Sequence, residues 1–510
     1  MSAVSSSEES EALSPSSLLI SSYLRPDYIC LGLSIGILIF WAGYWVVHMI
    51  AISYGKLKLH KRYTIDDESC KNALPGVSII KPLVGVDPNL YSNLETFFTL
   101  KYPQYEILFC VHNDSDPALM VVDSVRAKYA HVDSRRFTCE ERVGINPKIN
   151  NMIQAYRAAK YNVIMISDAG MRMKEDTLTD MVMALKDDVG IVTQMPFTCD
   201  RKGFAATLEK VYFGTAHARI YLSADAFGVI CSTGMSSLMR KNVLEEAGGM
   251  QAFGHYIAED YFFAHSIASK GWKCAISSQP GWQNAGICSV SAHHARSARW
   301  AKLRIAMLPH IVLLEPLQEC VLLGVLSSLA VNNLFQWNSL VFFLVHVTAW
   351  MLTDYVLLSI VQNGPLPFGK FEYVVSWLFR EFTSLPLFLR ALFNPTISWR
   401  TGTYKLRWGG VAMQLQAPST NNTTKLSNAV NSNNRAGSNA KKQSLTIIPF
   451  AKNAEKDLIQ HSVYYEQQQR SGSLTGLSAV VSCPANASPF TDAISSNDSI
   501  ARPRSDLLRI

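Results

Sequence analysis

Arg296-Ser-Ala-Arg299-Trp300 sets two guanidinium groups and an indole at i, i+3 and i+4, so on a helix all three leave from one side. Such a face can hold a diphosphate and stack on an apolar or sugar-ring surface. One Arg about 4 Å from a phosphate charge is worth roughly 4 kcal/mol at an effective dielectric of 20, before desolvation is subtracted. A basic helical face with an aromatic anchor at a membrane interface would use the same residues, and Lys302-Leu-Arg304 fits it. Upstream stands the acidic pair Glu259-Asp260, ahead of the helical pattern Phe262 to Ser269. A helix start favours an ionised carboxylate. Aimed at a hydroxyl, Asp260 could act as general base, a role worth roughly 10²–10⁴-fold in rate. Simple complementation of the helix dipole is the plainer account.

Five further residues are candidates for binding. Asp116 closes His112-Asn-Asp-Ser-Asp116-Pro117, where proline ends a strand; it could take uracil or ribose, or do no more than ordinary turn chemistry, and Asp114 is a rival. Asp168 begins Asp168-Ala-Gly170 and could bind Mg²⁺ or Mn²⁺ between the phosphates of a nucleotide-sugar. Capping the helix that begins near Glu175 is the competing role, and Gly170 removes the second acid of an Asp-x-Asp pair. Lys148, in Gly144-Ile-Asn-Pro-Lys148-Ile-Asn-Asn, could reach a phosphate or uracil or be a solvated helix-start lysine. His217 and Cys231 sit in apolar surroundings that suit packed side chains. His293 and His294 read as surface residues.

These groups need a frame to converge. Between about 76 and 310, apolar runs alternate with helical patterns: Val77 to Lys81, a helix near Asn89 to Leu100, and Tyr105 to Val111. Arg136 to Val143, a helix at Lys148 to Lys160, and Asn162 to Ser167 continue the series. That grammar predicts an α/β domain with a mostly parallel sheet. In open sheets of this kind ligands bind beyond the carboxyl ends of the strands, where both Asp116 and Asp168 fall.

The rest of the chain has other compositions. Residues 1–24 are Ser-rich with Glu8, Glu9 and Glu11, which predicts disorder. Tyr28 to Ile52 is apolar and exceeds the roughly 20 residues a helix needs to span a bilayer, so 25–54 is expected to be a signal anchor and 55–75 a linker. Lys56, Lys58, Lys61 and Arg62 follow the anchor while only Arg25 precedes it, which puts the next domain in the cytosol and the N-terminus in the lumen. Apolar tracts recur at Leu317 to Leu334, Leu340 to Val361 and Tyr373 to Phe393, giving a membrane region over 311–414. Arg380, Glu381 and Arg390 place the third tract along the interface or against its neighbours. From 415 onward an Asn- and Ser-rich tail is expected to be disordered. Its sequons at Asn421, Asn422, Asn486 and Asn497 would put it in the lumen after three crossings. A net charge of +7 is spread without a long basic tract, which suits a membrane surface and gives no signal for nucleic acid. The ten cysteines show neither CxxC pairs nor zinc spacing, so a reduced, cytosol-facing domain is expected.

Taken together, these residues resemble the ceramide glucosyltransferase family. The likeness runs from the anchor to about residue 410, through Pro75-Gly-Val-Ser, Gly85-Val-Asp-Pro-Asn-Leu, Val143-Gly-Ile-Asn-Pro-Lys-Ile-Asn-Asn, Gly203-Phe-Ala-Ala-Thr-Leu-Glu, Tyr256-Ile-Ala-Glu-Asp-Tyr and Pro395-Thr-Ile-Ser-Trp-Arg. The family's three aspartate motifs fall on Asp116, Asp168 and Asp260, and its Gln/Arg-x-x-Arg-Trp motif on Arg296, Arg299 and Trp300. The resemblance implies a GT-A-type nucleotide-sugar domain with an N-terminal transmembrane helix and C-terminal membrane-associated helices. It further implies inverting transfer from UDP-glucose to ceramide in a Golgi bilayer, with Asp260 as base and with His217 and Cys231 at substrate-binding positions. A homo-oligomer is left open. A processive synthase of the chitin or hyaluronan type, or a silent membrane protein that binds nucleotide-sugar or lipid, would share several of these motifs.

Overall fold

The computed structural model describes residues 26–61, 74–139, 141–286, 288–308, 310–399 and 402–416. The Ser-rich start, most of the expected linker, and the tail with its sequons lie outside the described residues. The strands in chain order are β1 (Val77–Leu83), β2 (Tyr105–Val111), β3 (Ser134–Thr138), β4 (Val163–Ser167), β5 (Met171–Arg172), β6 (Val189–Thr193) and β7 (Pro196–Thr198). They continue with β8 (Ser236–Arg240), β9 (Lys273–Ile276), β10 (Gly281–Gln283), β11 (Thr396–Trp399), β12 (Gly402–Leu406) and β13 (Ala412–Gln416). The helices used below are α1 (Pro26–Lys58), α2 (Leu90–Phe98), α3 (Ala118–Lys128), α4 (Pro147–Ala158), α5 (Thr177–Ala184), α6 (Phe204–Tyr212) and α7 (Ala218–Ala226). After them come α8 (Lys241–Glu246), α9 (Glu259–Ser269), α10 (Val290–Met307), α11 (Ile311–Leu317), α12 (Cys320–Phe335), α13 (Ser339–Gln362) and α14 (Lys370–Leu392).

Seven strands form one sheet in the order β3-β2-β1-β4-β8-β6-β9. Every pairing is parallel except those of β8, which runs antiparallel to both β4 and β6. The near-continuous apolar strands are explained by burial on both faces. Because side chains alternate with period two, Val77, Ile79, Val163 and Met165 enter one core and Ile80, Ile164 and Ile166 the other. The parallel direction aligns the carboxyl ends of β1, β2 and β4 on one edge, so Asp116 and Asp168 stand on either side of the end of β1.

α1 has 33 residues and is about 50 Å long at 1.5 Å per residue, well beyond a hydrocarbon core of about 30 Å. Together with α13 it is long and apolar enough to cross a membrane, and α11 and α12 form a bent pair at 85° that meets the same test as one span. Trp41 meets His346, Trp45 meets Trp350, and His48 meets Asp354, so α1 and α13 run parallel. α12 runs the other way along α1: Tyr44 reaches Gln318 and Ser34 reaches Asn333. At the domain end, the His60 ring bonds the carbonyls of Ile360 and Val361 at 3.0 and 3.1 Å.

The helical part of the expected membrane region ends with α14. Residues 396–399, 402–406 and 412–416 are strands. They form the antiparallel sheet β11-β12-β13, whose Ile397, Tyr404, Leu406 and Ala412 pack with Ile257 and Ala306 of the domain. Gln416 therefore ends a strand of the sheet that packs on the domain. In α14, Arg380 and Glu381 are buried against their neighbours and bonded to each other, which is how an apolar helix face tolerates them.

Candidate active site

Asp260 stands in the first turn of α9, half-buried, with Glu259 beside it. Burial and the neighbouring Glu259 charge push its carboxyl up to about 6, against the pull of Lys148 and backbone N–H groups. Desolvation thus outweighs the helix dipole, yet the group stays ionised at neutral pH. Lys148 holds the centre: its Nζ lies 3.0 Å from Asp168 Oδ1, 3.0 Å from Glu259 Oε1 and 2.7 Å from the Gly234 carbonyl. Burial works against this ammonium, but the two carboxylates keep it above its ordinary value. Lys148 is set by its helix start, where Asn146 caps the N–H groups of Lys148 and Ile149 ahead of Pro147. The Asn146 amide also donates to Glu259 Oε2 at 3.0 Å, tying α4 to α9.

Gly234 explains how tightly these groups meet. A Cβ there would lie 3.1 Å from Lys148 Nζ and 3.4 Å from Asp260 Oδ2, so the glycine leaves the space in which Asp260 and Lys148 approach each other. Asp168 is anchored through its backbone: its N–H donates to Met235 O at 2.9 Å, and its carbonyl accepts from Lys81 Nζ at 2.8 Å. Lys81 is fully buried over the Phe97 ring, and that burial pulls its ammonium down to about 7 although Asp168 opposes the shift. The carboxylate of Asp168 is left 39% exposed toward the crevice.

Asp116 takes a more structural position. Both of its carboxylate oxygens accept from Gly85 N–H, at 3.0 and 3.1 Å, and one also accepts from Ala118 N–H at 2.9 Å. It locks the loop after β1 to the start of α3.

On α10, Arg296, Arg299 and Trp300 do share a face, but their fates differ. Arg296 is ion-paired to the buried Glu209, which Arg201 grips from its other oxygen, and it also reaches Gln283. Two guanidinium groups equally free for a diphosphate are therefore not what the fold presents. Arg299 has no hydrogen bond or ion pair among the described residues; burial and the Arg296 charge pull it down, and the Asp168 charge pulls the other way. Trp300 closes an aromatic wall with Phe213 at 5.9 Å and His217 at 6.1 Å, and His217 stacks on Tyr221 at 4.6 Å.

That wall depends on a break in helix period. Residues Phe213–His217 form a π-turn between α6 and α7, a local widening that often marks functional sites. Burial, with the Arg304 and Arg296 charges, pulls His217 down to about 3, so the ring is neutral; its Nδ1 is buried with no partner among the described residues. Cys231 is pushed up to about 12 by burial, which keeps it a thiol. Tyr221 Oη donates to Ser232 O at 2.8 Å, and Ser232 Oγ donates to Asp260 O at 3.0 Å. The aromatic wall and Asp260 are thus parts of one continuous surface. His293, expected at the surface, is instead buried and packs edge-on to Tyr212.

Glu209, Lys81 and Gly234 were not singled out by sequence reasoning. Glu209 ends the motif Gly203 to Glu209, and Lys81 interrupts an apolar strand; a charge inside a buried pattern was the signal available for both.

Over residues 43–412 the chain matches Glycosyl transferase family 21. It is 47% identical over 368 residues to "Ceramide glucosyltransferase 3" of Caenorhabditis elegans, covering 72% of this chain and 79% of that relative. "Ceramide glucosyltransferase 1" of the same organism is 45% identical over 368 residues, covering 72% and 78%. Among solved structures, the chain is similar to mannosyltransferase PcManGT from Pyrobaculum calidifontis, in complex with GDP-Man and Mn2+, at 15% identity and a TM-score of 0.42, covering 70% of this chain and 99% of that one. The mostly parallel sheet and the apolar N-terminal helix agree with the GT-A-type membrane architecture expected from the sequence. A match across residues 43–412 takes in the second half of α1, the whole crevice and the membrane-like helices, and this chain belongs to glycosyl transferase family 21.

Proposed function

We propose that this chain transfers glucose from UDP-glucose to the primary hydroxyl of ceramide, with inversion, giving β-glucosylceramide and UDP. The relatives named ceramide glucosyltransferase support the acceptor and the sugar. The observation that carries the mechanism is the junction at Gly234, where Asp260 meets the Lys148–Asp168 pair while its own backbone joins the aromatic wall. In this reading the ceramide hydroxyl lies between Asp260 and the anomeric carbon. Asp260 takes its proton as the oxygen–carbon bond forms, and the bond from the anomeric carbon to the diphosphate breaks with its electron pair leaving on UDP. Attack from the face opposite the departing phosphate inverts the centre.

Arg299 and Lys148 are the cations nearest the departing charge, and preorganised charges of this kind are commonly the largest single contribution to such catalysis. Arg296 acts through Glu209 as part of the wall behind them. Asp116 shapes the donor end of the crevice. Trp300, His217 and Cys231 border the acceptor, and neutrality of the imidazole and thiol suits an apolar substrate. Asp168 would hold Mg²⁺ or Mn²⁺ if one accompanies the donor, since such ions are usually held by one or two carboxylates plus substrate phosphates. Its partial exposure fits that role, and among the described residues no group of three His, Cys, Asp or Glu gathers to hold an ion without substrate. The ion would supply charge neutralisation at the diphosphate.

The membrane reading follows from the same pieces. α1, the α11–α12 pair and α13 would cross a Golgi bilayer, leaving the domain in the cytosol. Asp260→Asn tests the reaction: turnover of UDP-glucose and a short-chain ceramide should disappear while UDP-glucose affinity stays within about twofold. Near-normal turnover by that variant removes Asp260 as base.

A further inference from the structure

Another cavity, of about 640 Å³, lies along the edge strand β9 where α1 ends against the domain. It contains none of Asp116, Asp168, Asp260, Arg296, Arg299 or Trp300. Its volume is within the range of small-molecule sites, about 300–1,000 Å³. Four lysines line it, Lys58, Lys61, Lys186 and Lys273, against two acids, Asp188 and Asp225. Lys58 pairs with Asp225 at 3.5 Å and Lys273 with Asp188 at 2.6 Å. Lys61 and Lys186 make no ion pair among the described residues, so the positive excess is carried by side chains free to meet an anion. Trp272 supplies an apolar wall.

The height of this cavity follows from the packing of α1. The apolar stretch of α1 runs to Ile52; just beyond it the Tyr54 hydroxyl donates to Asp225 at 2.6 Å, and Gly55 packs against Leu222 and Ile360. Tyr54 and Lys58 thus fall where a crossing helix leaves the hydrocarbon, a depth at which Tyr and Lys are favoured. Beside lining residues in the chain stand bare apolar side chains: Leu57, before Lys58, is 73% exposed, and Phe227 and Val229, on either side of Gly228, are 57% and 59% exposed. Apolar side chains beside a basic hollow at that depth match a molecule with an anionic head and hydrocarbon tails. A free phosphate has no use for the apolar part.

We infer that this cavity binds the phosphate-bearing headgroup of an anionic phospholipid, with Lys61 and Lys186 on the phosphate and Leu57, Phe227 and Val229 among the acyl chains. The inference needs α1 to cross a bilayer; it does not need the proposed reaction.

The test uses the full chain in nanodiscs of phosphatidylcholine containing one-tenth photoactivatable phosphatidylserine, with label mapped by peptide. Label should concentrate on peptides holding Trp272 and Lys273, and Lys61→Glu with Lys186→Glu together should lower it at least about tenfold. The double variant should keep the wild-type melting temperature and wild-type transferase activity in detergent, which excludes misfolding as the cause. Soluble glycerophosphoserine should compete only at far higher concentration than the lipid. Equal labelling by photoactivatable phosphatidylcholine, or labelling untouched by the double variant, overturns the proposal. Displacement of the lipid by inorganic phosphate at the concentration where glycerophosphoserine first competes also overturns it, in favour of a free-phosphate site.

Discussion

The proposed reaction turns on one carboxylate whose surroundings conflict. Asp260 has a helix start, a lysine and backbone donors that favour its anion, yet burial and Glu259 win and raise it to about 6. A base must be ionised to accept a proton, so the raised value places the acid limb of the rate profile near 6 rather than near the ordinary carboxylate range. kcat/KM should fall about tenfold per pH unit below about 6 and level off above about 7. A pH series with saturating metal ion checks this, and a limb that stays near 4 would show that Asp260 is not the titrating group. Glu259→Gln should move the limb downward, because removing the neighbouring negative charge lowers the cost of ionising Asp260. His217 contributes no limb in this range, since its imidazole is held neutral down to about 3.

At the scale of elements, the decisive contacts join α6 to α10 and α4 to α9. Glu209 on α6 carries two guanidinium groups, Arg201 and Arg296, and is itself almost fully buried. Glu209→Gln keeps the shape and removes the charge, so the loss should be about 1.5–3 kcal/mol, the worth of a hydrogen bond to a charged partner. Chemical denaturation of the variant measures it; a change below about 0.5 kcal/mol would mean that the pairing contributes little. The same contact explains why an i, i+3, i+4 pattern on α10 did not translate into two equivalent phosphate ligands. The spacing put Arg296 and Arg299 on one side, but a carboxylate from another helix took the first of them.

For the molecule as a whole, the charges between the apolar helices and the domain are the joint. Asp354 of α13 is fully buried and accepts from Arg219 of α7 at 2.8 Å and from Trp377 of α14 at 2.8 Å, with His48 of α1 at 3.3 Å and Arg380 of α14 at 3.5 Å. Arg219 lies two residues beyond His217, so the aromatic wall is braced directly by the helix bundle. Asp354→Ala would leave Arg219 and Arg380 buried with less negative charge, and the expected destabilisation is about 3–5 kcal/mol. Thermal melting of the detergent-purified variant should show it as a large drop, and activity measured well below the new melting point should fall too, because Arg219 would no longer fix the turn that carries His217. A variant that melts like the wild type would exclude the joint.

The sequence by itself determined the α/β grammar, the apolar helices, and most of the residues that meet in the crevice, because strand and helix periods are local and the parallel sheet sends strand ends to one edge. Asp168 was legible for that reason, and Lys148 and Asp260 as charges at helix starts. Only the tertiary structure decided the partners of each charge. Glu209, Lys81 and Asp354 act across separations of 87, 87 and 135 residues, to Arg296, Asp168 and Arg219, and no spacing rule reaches that far. The fate of β11–β13 was decided the same way: short strands after an apolar helix read as membrane sequence until a domain surface is present to bury Ile397, Tyr404 and Leu406.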